Sequence, residues 1–190
     1  MTSPEPTADQ YLAATLDALK DPTRFRETLD ALPVPIYVTD ALGAVTYWNH
    51  ACVAFAGREP QLGEDRWCVT WQLYSTCGEP IRHDECPMAQ AIKEQRPIRN
   101  AIAIAERPNG SRVAFRPYPT PLFDDSGHLT GAVNMLIDVS SAQGAALAEQ
   151  AARCRRLAGA THDRAASAIL GTMADGYEDT AEALKAPQAA

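Results

Sequence analysis

The sequence predicts an α+β domain in which short helices cover one face of an antiparallel sheet. Its apolar runs follow the order two strands, several short helices and three strands, which differs from the β-α-β alternation of a parallel sheet. Two turn signals separate the last three strands: Asn109-Gly110, and the run from Asp124 to Gly127. Such residues readily take the positive φ angles of tight hairpin turns. We therefore expect five antiparallel strands, preceded by a helical segment and followed by a helical pair.

The first predicted elements are two short helices and a hairpin. Leucines at helical spacing predict a helix from Asp9 to Leu19, and a second helix is predicted to end near Leu32. Strands are predicted over Ile36–Asp40 and Val45–Asn49. The side chain of Asn49 is expected to cap the helix that follows, by accepting a hydrogen bond from a free backbone N–H.

The middle of the chain is expected to be irregular until a central helix begins. Residues 58–85 combine a high density of aromatic side chains with glycine and proline, so propensity alone predicts no regular element there. Asp84 is expected to cap a helix from Glu85 to Gln95, and Pro97 ends it. The remaining strands are predicted over Ile98–Arg107, Arg112–Pro119 and Leu129–Asp138.

Two helices are predicted after the last strand. Residues 142–158 are rich in alanine, Gly159 interrupts them, and Thr161 begins a second helix with a better apolar stripe. That stripe contains Ile169, Leu170, Met173, Tyr177 and Leu184. The predicted division of the chain is a disordered start (1–8), a helical cap (9–32), the sheet domain (33–141), a helical hairpin for dimerisation or output (142–185) and a tail (186–190).

Composition excludes several classes of function. The 190 residues carry a net charge of −7, which argues against binding to nucleic acid or to an anionic membrane surface. No run approaches the roughly 20 apolar residues that span a bilayer, and the first residues lack the pattern of a secretory signal. A cytoplasmic location is therefore expected. The five cysteines include no C-x-x-C pair, which indicates reduced thiols.

Several segments together resemble the PAS family of sensory domains. The carriers of the resemblance are the first hairpin with Asn49, the segment HDECPMA, and then ERPNGSRV, RPYPTPL and GAVNMLIDVS, in that order. The resemblance covers roughly Thr28 to Ser141, and HDECPMA is similar to a subgroup of bacterial signalling proteins. It implies the PAS fold and a sensory or regulatory role, not catalysis. It also implies a cavity between the sheet and its helices.

The candidate lining of that cavity is Trp67, Trp71, Tyr74, His83, Met88, Ile92, Ile104, Phe115, Val133 and Met135. In the main interpretation these residues bind a small ligand whose identity the sequence leaves unknown. In the alternative they fill the core, and the domain is a ligand-free module for protein–protein interaction. The N-C-R-F motif of flavin-adduct PAS domains is absent, because Trp67-Cys68-Val69-Thr70 differs from it.

A cofactor or redox role is a further alternative. Haem-binding PAS proteins hold iron through a histidine near the central helix, which makes His83 the candidate haem ligand. Cys68, Cys77 and Cys86 surround His83, but only His83-x-x-Cys86 has ligand-like spacing, so separate thiols are favoured over a metal site. A helix dipole at Cys86 would lower its pKa and suit redox sensing.

The end of the last strand is the candidate signal relay. Asp138 and Ser140 flank Val139 in the triplet that joins this strand to the outgoing helix in PAS proteins. Their side chains can bond local backbone groups and set the direction of the helix. The resemblance also implies a homodimer formed through the N-terminal helix and the outer sheet face, with output to a signalling partner such as a histidine kinase or regulator.

Overall fold

The computed structural model describes residues 6–21 and 23–185. Within the predicted disordered start, residues 1–5 lie outside the described part, and the first helix already begins at Ala8; the predicted tail 186–190 lies outside it entirely. The helices are α1 (Ala8–Ala18), α2 (Phe25–Asp30), α3 (His50–Ala56), α4 (Pro87–Glu94), α5 (Ser140–Ala160) and α6 (Arg164–Lys185). The strands are β1 (Ile36–Asp40), β2 (Val45–Trp48), β3 (Gln72–Tyr74), β4 (Pro80–Ile81), β5 (Ala103–Glu106), β6 (Arg112–Pro117), β7 (Thr120–Phe123) and β8 (Leu129–Asp138).

The predicted α+β architecture is confirmed, including the N-terminal helical segment and the C-terminal helical pair. The strands pair antiparallel in the order β2-β1-β8-β6-β5-β3-β4, and β7 also pairs with β8. The expected count of five strands is wrong, because the sheet has eight within residues 6–21 and 23–185. A short hairpin and a divided strand account for the difference.

The divided strand consists of β6 and β7, which pair with successive halves of β8. Prolines cause the division, since Pro117, Pro119 and Pro121 have no N–H to donate to a ladder. The side-chain Oδ1 of Asn134 accepts a hydrogen bond from the N–H of Tyr118 at 2.9 Å in the gap. The added hairpin, β3–β4, extends the β5 edge within the segment that propensity left irregular.

Helices cover both faces of the sheet. On the inner face, α3 and α4 pack over a large apolar cluster that includes Phe55, Met88 and Phe115. On the outer face, α1 and α2 cover Ile36, Tyr47 and the residues Val133, Met135 and Ile137 of β8. The α5–α6 hairpin covers the neighbouring part of that face, over β5 and β6. No helix among residues 6–21 and 23–185 combines the length and apolar character that crossing a bilayer requires.

Asn49 stands at the N-cap of α3, but its side chain does not cap that helix, contrary to the sequence-based prediction. Its Oδ1 accepts a hydrogen bond from the N–H of Ile36 at 2.9 Å, and its Nδ2 donates to the carbonyls of Leu29 and Val34 at 3.0 and 2.9 Å. The side chain is fully buried. Asn49 thus fastens the segment between α2 and β1 to the start of α3.

The central helix α4 begins two residues later than expected. A single 3-10 turn, His83–Glu85, precedes it, and Cys86 rather than Asp84 occupies its N-cap. Asp84 instead binds Arg82 through two hydrogen bonds of 2.9 and 2.8 Å. Pro87 opens the helix, where a missing N–H has no consequence.

Candidate functional site

The predicted cavity residues lie in separate places, and only four of them share the inner cluster. Those four are Trp67, Met88, Ile92 and Phe115. Val133 and Met135 lie on the outer face under α1 and α2, while Tyr74 and Ile104 lie on the outer face under the α5–α6 hairpin. His83 lies in a surface cavity, and Trp71 is 54% exposed. The ten residues therefore do not form one lining.

Strand alternation explains the division. In β8 the even-numbered residues Ala132 and Leu136 join the inner cluster, and the odd-numbered Val133 and Met135 face outward. Both faces of this strand are covered, so its sequence is an almost continuous apolar run. Such a run has no polar alternation to show which residues face inward.

The side chains of the inner cluster pack against one another. Met88 is completely buried, and the rings of Phe55 and Phe115 meet edge to face with centroids 5.3 Å apart. The hydroxyl of Tyr37 donates to the carbonyl of Trp67 and accepts from Nδ2 of Asn134, both at 3.0 Å. These bonds satisfy the polar groups of the cluster within the chain.

Tyr37 and Asn134 are site residues that sequence reasoning missed. Asn134 gave a usable signal, because it is the one strongly polar side chain within the apolar stretch GAVNMLI. A buried amide in such a stretch requires hydrogen-bond partners. Its partners, Tyr37 and Tyr118, are distant in sequence and could be found only from the folded structure.

Trp67 has a strained backbone that aims its carbonyl at Tyr37. Its φ of 67° lies in the left-handed region, which is unfavourable for a bulky side chain. Its N–H donates to the carbonyl of Gly43 at 2.7 Å, and its ring packs onto the Cα of that glycine. A Cβ at Gly43 would lie 2.3 Å from Cε3 of Trp67, so only glycine fits there.

The surroundings of His83 do not fit haem. His83 borders an open surface cavity of about 520 Å³ whose lining includes five charged residues. Those residues are Glu64, Asp65, Arg66, Arg82 and Asp84. A porphyrin requires a large apolar pocket, and this cavity does not offer one. Burial lowers the pKa of His83, and the charge of Arg58 lowers it further, so the imidazole is neutral near pH 7.

The three central cysteines do not lie together at one site. Cys77 is exposed at the turn between β3 and β4, whereas Cys68 and Cys86 are buried in the inner cluster. No group of three or more His, Cys, Asp or Glu side chains within the described ranges could hold a metal ion. The expected activation of Cys86 is wrong in direction: burial raises its pKa to about 12, although backbone N–H groups of α4 act the other way.

The junction between β8 and α5 is a set of hydrogen bonds to one residue of β6. Oγ of Ser140 accepts from the N–H of Ala114 at 3.0 Å, and the N–H of Val139 donates to the Ala114 carbonyl at 2.8 Å. Oδ1 of Asp138 accepts from the N–H of Ser140 at 2.8 Å. The start of α5 is thereby fastened to the middle of the sheet.

Two cavities meet at this junction, and Asp138 lines both. One, of about 720 Å³, lies between Asp138, Ser140 and the α5–α6 hairpin. The other, of about 380 Å³, lies between Asp138, Phe55 of α3 and Arg107. Arg107 is only 6% exposed, and its Nε donates to the Phe55 carbonyl at 2.8 Å. The relay residues thus lie between the inner layer and the hairpin.

The antiparallel sheet, the inner helices and the hydrogen-bonded exit helix together form one α+β domain. The sequence profile described as PAS fold matches residues 29–144, which is more than half of the chain. The chain therefore belongs to the PAS fold family. A comparison with curated proteins finds no match.

Solved structures of PAS and light-oxygen-voltage proteins resemble this chain at low identity. An RNA-binding light-oxygen-voltage receptor is 19% identical over 73% of this chain, with a TM-score of 0.49, and the match spans 37% of the receptor. The Rhodobacter sphaeroides LOV protein is 16% identical over 90% of this chain and 93% of its own, with a TM-score of 0.47. The PAS domain of Bordetella pertussis BvgS is 22% identical over 63% and 86%, with a TM-score of 0.42. These scores lie below 0.5, so the family assignment depends on the sequence profile.

Proposed function

We propose that this PAS domain is a regulatory module that passes the state of its sheet to a signalling partner through the α5–α6 hairpin. A signalling protein such as a histidine kinase or regulator is the kind of partner that the family resemblance implies. The observation that carries the proposal is the junction at Ala114, where Ser140 and Val139 bind both backbone polar groups of one sheet residue. A shift of β6 would change these bonds and so the position of α5.

The small contact between the α5–α6 hairpin and the sheet would allow the hairpin to take two positions on the sheet. Leu147 of α5 and Leu184 of α6 pack on Ile104 and Ala114, and the rest of this small cluster is formed by Ala181 and a few partly buried side chains. The contact is modest beside the inner cluster. Elements with few buried apolar contacts detach from the rest of a fold at a lower free-energy cost than the core unfolds. A helical hairpin that responds to a change in the sheet must be able to shift at such a low cost.

The burial and mutual packing of the inner-cluster side chains favour a ligand-free domain over a small-molecule receptor. Met88, Phe115 and Leu136 occupy the space in which the resemblance expected a ligand. Native mass spectrometry of the purified protein is expected to show the mass of the chain without a bound molecule. A stoichiometric adduct that survives purification would instead support the receptor interpretation.

Hydrogen exchange of two serine variants tests the relay. Ser140→Ala removes the acceptor for the Ala114 N–H, and we expect amides in α5 and α6 to exchange about 5-fold faster, since one hydrogen bond contributes about 1 kcal/mol. Ser141→Ala is the matched control, because Ser141 is exposed and is the next residue of the same helix. Equal protection of the hairpin in both variants would contradict the proposal.

A further inference from the structure

Besides the face that packs on α5 and the sheet, α6 has an uncharged stripe that is exposed in the single chain. One face of this helix packs on α5 and the sheet through Ala174, Ala181 and Leu184. A different face is exposed at helical spacing. Its six residues, here called the α6 stripe, are Ala165, Ala168, Ile169, Thr172, Met173 and Gly176.

The stripe contains two of the large apolar side chains that remain exposed. Ile169 is 62% exposed and Met173 is 44% exposed. Together with Tyr177 and with Cys77 from the β3–β4 turn, five residues of the stripe line a groove of about 470 Å³. Contiguous apolar surface of this kind marks interaction sites on soluble proteins.

Gly176 supplies a separate indication that another element approaches the stripe. Glycine is the poorest helix former after proline, so a glycine inside a helix usually has a packing reason. At Gly176 a Cβ would meet nothing within 4 Å in the single chain. The packing reason is therefore not found within the described residues, and close approach of a partner helix would provide it.

We infer that the α6 stripe binds the same stripe of a second copy of this chain, with the two α6 helices antiparallel. The charges of α6 favour this occupant. Arg164 stands at the N-terminal end, and the acidic residues Asp179 and Glu182 lie toward the C-terminal end. Asp175 and Glu178 also lie there, but they pair with Arg155 of α5 in the same chain. Antiparallel pairing about the centre of the stripe places Arg164 within one turn of Asp179 of the second copy, twice by symmetry. Parallel pairing would instead place like charges together.

The other surface expected to bind a second copy is already covered by helices of the same chain. The resemblance to PAS domains implied a dimer through the N-terminal helix and the outer sheet face. That face is covered by α1, α2, α5 and α6 of the same chain. The inference deepens the proposed function by naming a partner of the hairpin, and its geometry does not depend on the Ser140 junction.

Sedimentation equilibrium of the full chain and its variants tests the inference. We expect a dimer, and we expect Ile169→Glu and Met173→Glu to raise its dissociation constant about tenfold or more, because each places a charge in the apolar interface. Leu157→Glu is the matched control, since Leu157 is 49% exposed on α5 outside the stripe. A wild-type monomer, or a dimer that the two stripe variants leave unchanged, would overturn the inference.

Two further variant sets distinguish close antiparallel packing from general loss of stability. Gly176→Ala should raise the melting temperature, since alanine favours the helix, and yet weaken the dimer. Gly171→Ala, where a Cβ also meets open space but outside the stripe, should raise the melting temperature without weakening the dimer. Arg164→Asp and Asp179→Arg should each weaken the dimer about two- to fivefold, and the double variant should restore it. A double variant that is weaker than both single variants would contradict the antiparallel arrangement.

Hairpin exchange and oligomeric state are independent readouts. Loss of the Ser140 effect with an intact dimer would contradict only the relay, and a monomer with a normal Ser140 effect would contradict only the α6 interface.

Discussion

The hydroxyl of Tyr37 and the side-chain amide of Asn134 form a 3.0 Å hydrogen bond between the adjacent strands β1 and β8, on the inner face of the sheet. The same hydroxyl donates to the carbonyl of Trp67, and Oδ1 of the same amide accepts from the N–H of Tyr118. Four segments that are far apart in sequence are joined in this way. Burial raises the pKa of Tyr37 well above its usual value, so the hydroxyl stays protonated and can donate.

Tyr37→Phe is predicted to destabilise the domain by about 1–3 kcal/mol, because it leaves a buried amide and a buried carbonyl without their partner. Urea denaturation followed by circular dichroism would measure this difference. Tyr11→Phe is the control, since no hydrogen bond of the Tyr11 hydroxyl is found among the described residues. Surface substitutions ordinarily change the free energy of unfolding by less than about 0.5 kcal/mol. A loss in Tyr37→Phe that stays within this range would show that the hydrogen-bond network does not stabilise the domain.

Gly43→Ala and Gly63→Ala are predicted to differ, although both glycines have positive φ. Gly43 has φ +85° and Gly63 has φ +80°, so each alanine incurs a backbone strain of about 1 kcal/mol or more. Only at Gly43 does the new Cβ collide with the ring of Trp67, whereas Gly63 faces open space. We therefore expect Gly43→Ala to be the more destabilising variant by about 1–3 kcal/mol.

Chemical denaturation monitored by tryptophan fluorescence would test this pair. Gly43→Ala should also change the fluorescence of the folded state, because Trp67 must move. Equal stabilities of the two variants would mean that Trp67 can move away from the new Cβ without loss of stability. The close packing of its ring on Gly43 would then be incorrect.

The buried thiols predict a loss of stability at high pH. Burial raises the pKa values of Cys52 and Cys86 from 9.0 to about 12. In the folded chain both thiols stay neutral up to about pH 12, whereas in the unfolded chain they ionise above about pH 9. The unfolded state thus binds fewer protons in this range, and the free energy of unfolding falls as the pH rises from about 9 to about 12.

Denaturation at pH 8 and pH 10.5 would measure the effect, which we expect to be about 1–2 kcal/mol per thiol at pH 10.5. Cys52→Ala should reduce the difference between the two pH values. Cys77→Ala should not, because Cys77 is exposed. An identical pH dependence of wild type and Cys52→Ala would refute a buried, neutral thiol at that position.

Some parts of the fold followed from local patterns, and others did not. The hairpins at Asn109-Gly110 and Asp124–Gly127 were predictable because positive φ angles favour few residue types, and Gly110 and Gly127 have φ +82° and +80°. The hairpin β3–β4 escaped prediction because its three- and two-residue strands depend on pairing with β5. The cap assigned to Asn49 was wrong because four backbone groups of residues 29–36 offer it buried partners that no local pattern reveals.

The sequence by itself determined the main helices, five of the strands and the hairpin turns, because turn chemistry and apolar periodicity act over a few neighbouring residues. The resemblance of its segments to PAS domains indicated the family and the exit triplet at Asp138. Only the tertiary structure decided which face each apolar residue occupies. Val133 and Leu136 are equally apolar, and the pairing of β8 with β1 and β6 turns one toward α1 and α2 and the other toward α3 and α4. The same long-range packing raised the pKa of Cys86, since burial in the assembled core outweighed the local effect of the helix start.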